Sequence, residues 1–524
     1  MTTDFVFKLK PFEHQMRAWL QSRDLPVFAL LMEQGTGKTK VGYDTTAWLY
    51  ANGRINALLV VAPNGVHRNW TEREAPTHIP DYIDWMAAYY VSPSSITVKE
   101  RKALQALWEF KGLRILSMNV EAFSHSAPFE YAKKFLNAHN ALMIVDESST
   151  IKTPGAKRTK NLIVAGRRAK YRRILTGTPY TQAPLDIFSQ FKFLTPQILG
   201  NSFVAFRAEY ATTVQRENKA ASARRRRPVF YEEVTGYKNL DELKRLVAEH
   251  AFRVRKVDCL DLPPKLYERR PVPLTPDQSR LYKQMLDESR AFLSNIEFKV
   301  GTDLNDWFDM SPEDQLLWVM ENKDKVETMT ASNAAVKLTR LQQIVGGYFD
   351  GEAISKINPR LNSLIQLCEE CAGKIIIWAR FRDELSAISR ALSEAFGEGC
   401  VAEYHGGIKP AEREAGVDGF CNGDTVRFFV SQQHAGGYGL TLVAASDVVY
   451  YSNDFSLEAR LQSEDRAHRI GQEKHVTYYD MVAPGTVDEK VLSSLELKRE
   501  MADRMTGDSD GDSVHSPRAT AQHG

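Results

Sequence analysis

Near-continuous apolar runs punctuate residues 1 to about 200: Val27–Met32, Ala57–Ala62, Leu113–Met118, Ala141–Val145 and Arg173–Thr176. Helical patterns separate them. Runs this short, apolar on both faces and spaced by helices, predict a parallel sheet covered on two sides. The same rhythm returns in Lys374–Ala379, Val401–His405, Val426–Ser431, Asp447–Tyr451 and Val476–Val482. Two α/β units are therefore expected, without an obvious internal repeat. Between them, about 200 to 350 reads as mostly helical and rich in charge. From about Thr506 the apolar periodicity stops, and a disordered tail is expected. The division predicted is 1–200, 201–352, 353–505 and 506–524.

Composition narrows the class. At 524 residues the chain exceeds a single core, and 43% hydrophobic with 26% charged residues suits a globular protein. The net charge is only +2, so a nucleic-acid partner must be held by a local basic groove. No signal segment or bilayer-length apolar run is read, which predicts a soluble, cytoplasmic protein without a membrane partner. The five cysteines are too scattered for a disulfide framework. Cys368 and Cys371 form a CxxC inside a helical pattern, and are read as a reduced packed pair rather than a metal site.

The chemistry concentrates at the ends of the apolar runs. Met32-Glu33-Gln34-Gly35-Thr36-Gly37-Lys38-Thr39 fits the P-loop template with Met32 at the first glycine position. Gly35, Thr36 and Gly37 let backbone N–H groups curl around a phosphate. Lys38 supplies positive charge, and the Thr39 hydroxyl can ligate Mg²⁺. The alternative is an ordinary glycine-rich turn. Asp146 and Glu147 follow another buried run, where Asp146 suits the Mg²⁺ ion and Glu147 can polarise an attacking water. Thr176, Gly177 and Thr178, before Pro179, form either a γ-phosphate sensor or a plain strand-to-helix turn.

Further along, Arg466 and Arg469 stand three apart, so on a helix they would point the same way. Aimed across a cleft at a triphosphate they would act as arginine fingers, worth about 10³ to 10⁵ in rate. The glycine cluster with Gly437, Gly439 and Thr441 reads as a hinge or as amides contacting nucleic-acid phosphates. Arg224, Arg225, Arg226 and Arg227 read as a solvated loop or as a phosphate-contacting one.

In this order, these motifs resemble the Swi/Snf-like branch of superfamily two helicases and DNA translocases, over about residues 7 to 505. Lys10–Gln15 is similar to the family's adenine-reading segment, with Gln15 the match. Met32–Thr39 is similar to motif I, Val60–Pro63 with Asn69-Trp70 to motif Ia, Asp146-Glu147 to motif II and Thr176–Pro179 to motif III. Leu262–Lys265 followed by Val272–Gln278 resembles the branch's linker. Ile376–Phe381 resembles motif IV, Gly437–Thr441 motif V and Gln462–Gln472 motif VI. DEAD-box RNA helicases differ at motifs III and VI. Two positions depart from the branch: Ser149 stands where histidine or glutamine is often found, and Phe455-Ser456 where Trp-Asn is often found. The first bears on coupling between the lobes, the second on DNA contacts or closure of the second lobe.

The resemblance implies two RecA-like parallel-sheet lobes with helical protrusions inserted between them and ATP, with Mg²⁺, in the cleft. It adds Gln462 to the nucleotide-contacting residues. It implies an ATPase that tracks along double-stranded DNA, in preference to an RNA helicase or a non-catalytic clamp. A DNA-associated, monomeric, minimal motor of phage or bacterial type is expected, in the host cytoplasm if phage-encoded.

Overall fold

The apolar runs become strands of two sheets, parallel throughout. The structure is a computed structural model. It describes residues 5–506 except 65, 218–229, 295, 297–306, 308–309, 322–325, 327 and 437–439, with backbone alone at 215–217, 230–233, 328–329 and 435–436. Arg224–Arg227, Gly437, Gly439 and the tail beyond Thr506 therefore lie outside the described residues.

The first sheet draws on β1 (Val27–Met32), β2 (Ala57–Ala62), β3 (Trp85–Tyr89), β4 (Leu113–Asn119), β5 (Ala141–Asp146) and β6 (Tyr171–Leu175). An antiparallel hairpin, β7 (Ala211–Glu217) with β8 (Phe230–Tyr237), intervenes before β9 (Ala251–Val254) closes the sheet's far edge. The spatial order is β3-β4-β2-β5-β6-β1-β9. Alternate residues of one strand feed opposite cores, as the two-residue period requires. Leu59, Val61, Met143 and Val145 pack on one face, Leu58, Val60, Leu142 and Ile144 on the other.

The second sheet takes β10 (Lys265–Pro271), then, past a short pair β11 (Tyr348–Phe349) and β12 (Glu352–Ala353), β13 (Lys374–Trp378), β14 (Val401–Tyr404), β15 (Phe428–Ser431), β16 (Ala445–Tyr450) and β17 (Val476–Val482). Its order is β10-β17-β16-β13-β15-β14. Three helices, Pro276–Ser294, Pro312–Glu321 and Thr328–Gly346, build a separate core with Val487, Val491 and Leu495 of the last helix, Val487–Thr506. That helix ends with Met505 buried in the first sheet's core. The α/β class, with two parallel sheets and helices inserted between them, is as the sequence predicts.

Among its described residues, the region expected to be mostly helical also holds five strands, β7 to β11, and at β10 the reason is exposure. β10 reads Lys-Leu-Tyr-Glu-Arg-Arg-Pro and is largely solvent-facing at a sheet edge, so it carries no apolar signature. β3 and β9 are likewise edge strands, and β3 is only half-buried. Residues 255–264 carry the chain from the first sheet to the second. Cys368 is buried on the helix Pro359–Glu370, while Cys371 lies one residue past its end; both thiols are free.

Candidate active site

Sheet order explains why three of the sequence motifs meet. β6 lies between β1 and β5, so the loops after all three strands emerge side by side at the sheet's C-terminal edge. This is the edge where open α/β sheets bind ligands. The loop after β1 carries Gly35–Gly37 and runs into Lys38 and Thr39, the loop after β5 carries Glu147–Ser149, and the loop after β6 Thr176–Pro179.

The phosphate-type loop is held from below by its neighbours. Gly37 caps the helix Lys38–Ala51 in the left-handed region (φ 91°), and a side chain there would strike the Gln15 amide. Gln15 donates from Nε2 to the Thr36 carbonyl (3.1 Å) and accepts at Oε1 from the Phe12 N–H (3.0 Å). His14 Nε2 reaches the same Thr36 carbonyl at 2.8 Å. Lys38 and Thr39 open the helix, so its unsatisfied N–H groups and positive dipole end face the cleft. A Cβ on Gly177 would come within 3.0 Å of the Gln34 N, which shows how closely the β6 loop backs onto the β1 loop. Arg253 of β9 ties the β6 loop to β1 itself, donating to the Gly177 carbonyl (3.1 Å) and the Leu31 carbonyl (3.2 Å).

Asp146 and Glu147 are buried with few compensating groups. Asp146 accepts from Trp70 Nε1 at Oδ2 (2.9 Å) and from the Glu147 N–H at Oδ1 (3.0 Å). Trp70 heads a π-helical turn, Trp70–Glu74, and its carbonyl accepts from the Tyr43 hydroxyl. Glu147 stands in the left-handed region (φ 47°), a conformation that costs a non-glycine residue energy and is common at functional sites. Its Oε1 takes only a long bond from Gln34 Nε2 (3.4 Å), and its Oε2 is buried with no hydrogen-bond partner among the described residues. Burial pushes both carboxyls up, and the Lys38 ammonium pulls both back down. The charges of Asp146 and Glu458 raise Glu147 further, and Arg466 opposes them.

The helix Leu457–Ala467 follows β16 in the second sheet, capped by the Ser456 side chain on the Ala459 N–H. It brings Gln462 and Arg466 to the same cleft. The helix stops at Ala467, so Arg469 lies beyond it; the expectation that both arginines share a helix face is corrected. They converge by another route. Arg466 Nη1 and Arg469 Nη1 both donate to the Leu440 carbonyl, at 3.0 and 3.2 Å. A Cβ built on Gly35 would lie 3.5 Å from Arg469 Cβ and 3.4 Å from Lys256 Cε, so the arginine segment stands directly over the glycine loop. Burial lowers the Arg469 guanidinium's pKa, with Asp465 and Glu74 offsetting it.

Several participants escaped the sequence reading. Lys256, in the crossing segment, donates from Nζ to Asp465 Oδ1 (2.6 Å) and to the His468 carbonyl (2.7 Å), while its backbone N–H donates to Glu33 Oε2 (2.6 Å). It thus ties the loop after β1 to the end of the arginine helix, and no periodicity marks it. Glu458 accepts from the Ser149 hydroxyl at 2.8 Å, across the cleft. Thr176 Oγ1 accepts from the Thr178 N–H (3.1 Å), and Thr441 lies just past the Leu440 carbonyl.

Hard oxygens of Thr39 and Asp146, beside an unpartnered Glu147 oxygen, fit a small divalent cation that keeps water and phosphate in its remaining positions. Among the described residues no cluster of three or more His, Cys, Asp or Glu could hold a metal alone, and no helix is long and apolar enough to cross a membrane.

The family models match in the same order. That of the SNF2-related domain covers residues 13–344 and that of the helicase conserved C-terminal domain residues 359–471. The chain is 24% identical over 515 residues to the putative ATP-dependent helicase/translocase YwqA of Bacillus subtilis, covering 96% of this chain and 49% of that protein. It is 27% identical over 496 residues to the mouse DNA annealing helicase and endonuclease ZRANB3, covering 94% of this chain and 40% of that protein. The chain thus spans about half the length of these curated relatives or less. A Sulfolobus solfataricus SWI2/SNF2 ATPase core solved in complex with dsDNA aligns over 97% of this chain and 95% of that one, at 21% identity and a TM-score of 0.39.

Proposed function

The chain belongs to the SNF2-related family, and from that membership and the geometry of the cleft we propose that it hydrolyses ATP to drive movement along duplex DNA. One observation carries the reading. The second sheet's Arg469 stands over the first sheet's Gly35, on the side of the cleft where Lys38, Asp146 and Glu147 gather.

In this reading the triphosphate lies on the Gly35–Thr39 backbone with Lys38 on its β and γ oxygens, and Gln15 reads the adenine edge. Thr39 and Asp146 would hold Mg²⁺, which neutralises phosphate charge when bound. Glu147 takes the proton of the attacking water. Its Oε2 leaves an acceptor site that no donor among the described residues contests. Gln462, Arg466 and Arg469 complete the pocket from the other sheet. The two arginines exchange the Leu440 carbonyl for phosphate oxygens as charge develops in the transition state. Thr176, Gly177 and Thr178 pass the state of the γ-phosphate to the sheet. Gly437, Gly439, Thr441 and Arg224–Arg227 take the DNA backbone, which implies little sequence preference. The protein works as a monomer inside the cell, on DNA.

Steady-state ATPase with duplex DNA, single-stranded DNA and RNA tests this directly. Duplex DNA should stimulate most, with steep loss as salt rises. Lys38→Ala should abolish turnover while DNA binding survives. Greater stimulation by RNA would move the substrate class, and no turnover with any of the three would leave only a nucleic-acid clamp.

A further inference from the structure

Ser149 and Glu458 stand 309 residues apart and meet at 2.8 Å between the two sheets' loops. Ser149 is 2% exposed and Glu458 half-buried, so their hydrogen bond is shielded from water. Glu458 lies in the first turn of the helix Leu457–Ala467, where the helix dipole favours its negative charge. Its Oε1 also accepts from Gln462 Nε2 at 3.2 Å, one turn on along the same helix. The other side of the contact is equally anchored. Ser148, next in the chain to Ser149, donates to Gln190 Oε1 (2.7 Å), and Gln190 Nε2 donates to the Pro179 carbonyl (2.8 Å). One short 3₁₀ turn, Ser148–Ile151, therefore faces inward to the loop after β6 and outward to the arginine helix.

We propose that Glu458 is a positioning residue: through Ser149 it registers the helix carrying Gln462 and Arg466 against the loop carrying Asp146 and Glu147. The proposal rests on the hydrolytic reading of the cleft. A serine hydroxyl is held close to the backbone, so this bond forms only when helix and loop are fully apposed and is lost on slight separation. Its acceptor is a carboxylate, which makes it stronger than a neutral pair. Ser149 thus gives the second sheet a short-range reading of the loop next to the water-activating residue.

The test is a double-mutant cycle on duplex-stimulated ATPase, joined to small-angle scattering of the nucleotide-free protein. Ser149→Ala and Glu458→Ala should each lower stimulated kcat about ten- to a hundredfold with KM for ATP unchanged, the scale of one charge-assisted hydrogen bond. The double variant should be no worse than either single one. Ser149→Thr and Glu458→Gln, which keep a donor and an acceptor, should restore most of the rate. Effects that simply multiply in the double variant, or single variants that match the wild type, overturn the proposal. If the wild type hydrolyses no ATP with any nucleic acid, the hydrolytic reading fails by itself, and scattering decides the contact. A larger radius of gyration in Ser149→Ala and Glu458→Ala supports it, and an unchanged one overturns it.

Discussion

The two sheets handle buried charge in opposite ways. Beneath the second sheet's helix Leu457–Ala467, Arg460 meets Asp480 at 2.5 Å and Glu464 at 2.9 Å, and Glu464 meets Arg499 and Lys265 at 3.0 Å each. Burial alone would raise Glu464, yet Arg499, Lys265 and Arg460 hold it well below the usual carboxylate range. At the first sheet's edge, Asp146 and Glu147 are just as buried but are shifted up, and one Glu147 oxygen has no hydrogen-bond partner among the described residues. Ions that are fully paired serve as scaffold. Ions left short of partners mark where a ligand supplies the missing ones.

That contrast can be broken at either end. In the proposed reading Arg469→Ala removes a cation that would trade the Leu440 carbonyl for phosphate, so hydrolysis should fall about 10³-fold or more, with ATP affinity largely kept, as read from kcat and nucleotide titration. Glu147→Gln should cost about 10² to 10⁴ in kcat. Its thermal midpoint should rise by a few degrees, since a buried, under-solvated carboxyl is replaced by a neutral amide, about 1–2 kcal/mol in favour of folding. In the paired region the sign reverses. Asp480→Ala leaves Arg460 only Glu464 of its two buried carboxylate partners and should cost about 3–5 kcal/mol in urea unfolding.

A smaller effect separates a third kind of buried acid. Glu384 accepts from the Arg380 and Phe381 N–H groups (3.2 Å each) and from the Ser452 hydroxyl (2.5 Å), while its Oε1 faces Gly346 with no hydrogen-bond partner among the described residues. Burial raises it from 4.5 to about 7 despite Ser452, the Phe381 N–H and Arg360. A folded pKa above the unfolded one means that its contribution is full below pH 4.5 and is lost as pH rises through about 7. The decline is on the order of 3 kcal/mol. Glu384→Gln should flatten the fall in Tm across that window, and an unchanged slope would assign the fall to other groups.

How much of this was legible in the chain followed burial. β1, β2 and β17 have the bounds that their runs predict; β1 and β2 are buried at nearly every position, and β17 alternates half-buried with buried residues before a buried end. β10 was invisible because an exposed edge strand needs no apolar residue, and Lys256 because a single buried cation in a connecting segment leaves no period to read. The glycine loop and the Asp-Glu pair were legible because their chemistry is local in sequence. The arginine pair was found but its geometry was not, since a helix ending at Ala467 is set by tertiary contacts such as that of His468 with the Pro263 carbonyl (2.7 Å), rather than by spacing. Ser149 stands out in the sequence as a departure from the family pattern, whereas its partner Glu458 is visible only in three dimensions.

Lys256 sits in the ten-odd residues that lead from one sheet to the other, fastened to Glu33 on one side and to Asp465 and His468 on the other. Should the two halves turn about this segment, as the proposed function requires, the molecule would act as a lever with its fulcrum beside the glycine loop. Such a rotation would displace groups around the loop little and the remote surfaces of both halves much, enlarging small adjustments at a phosphate into travel where a long polymer could be gripped.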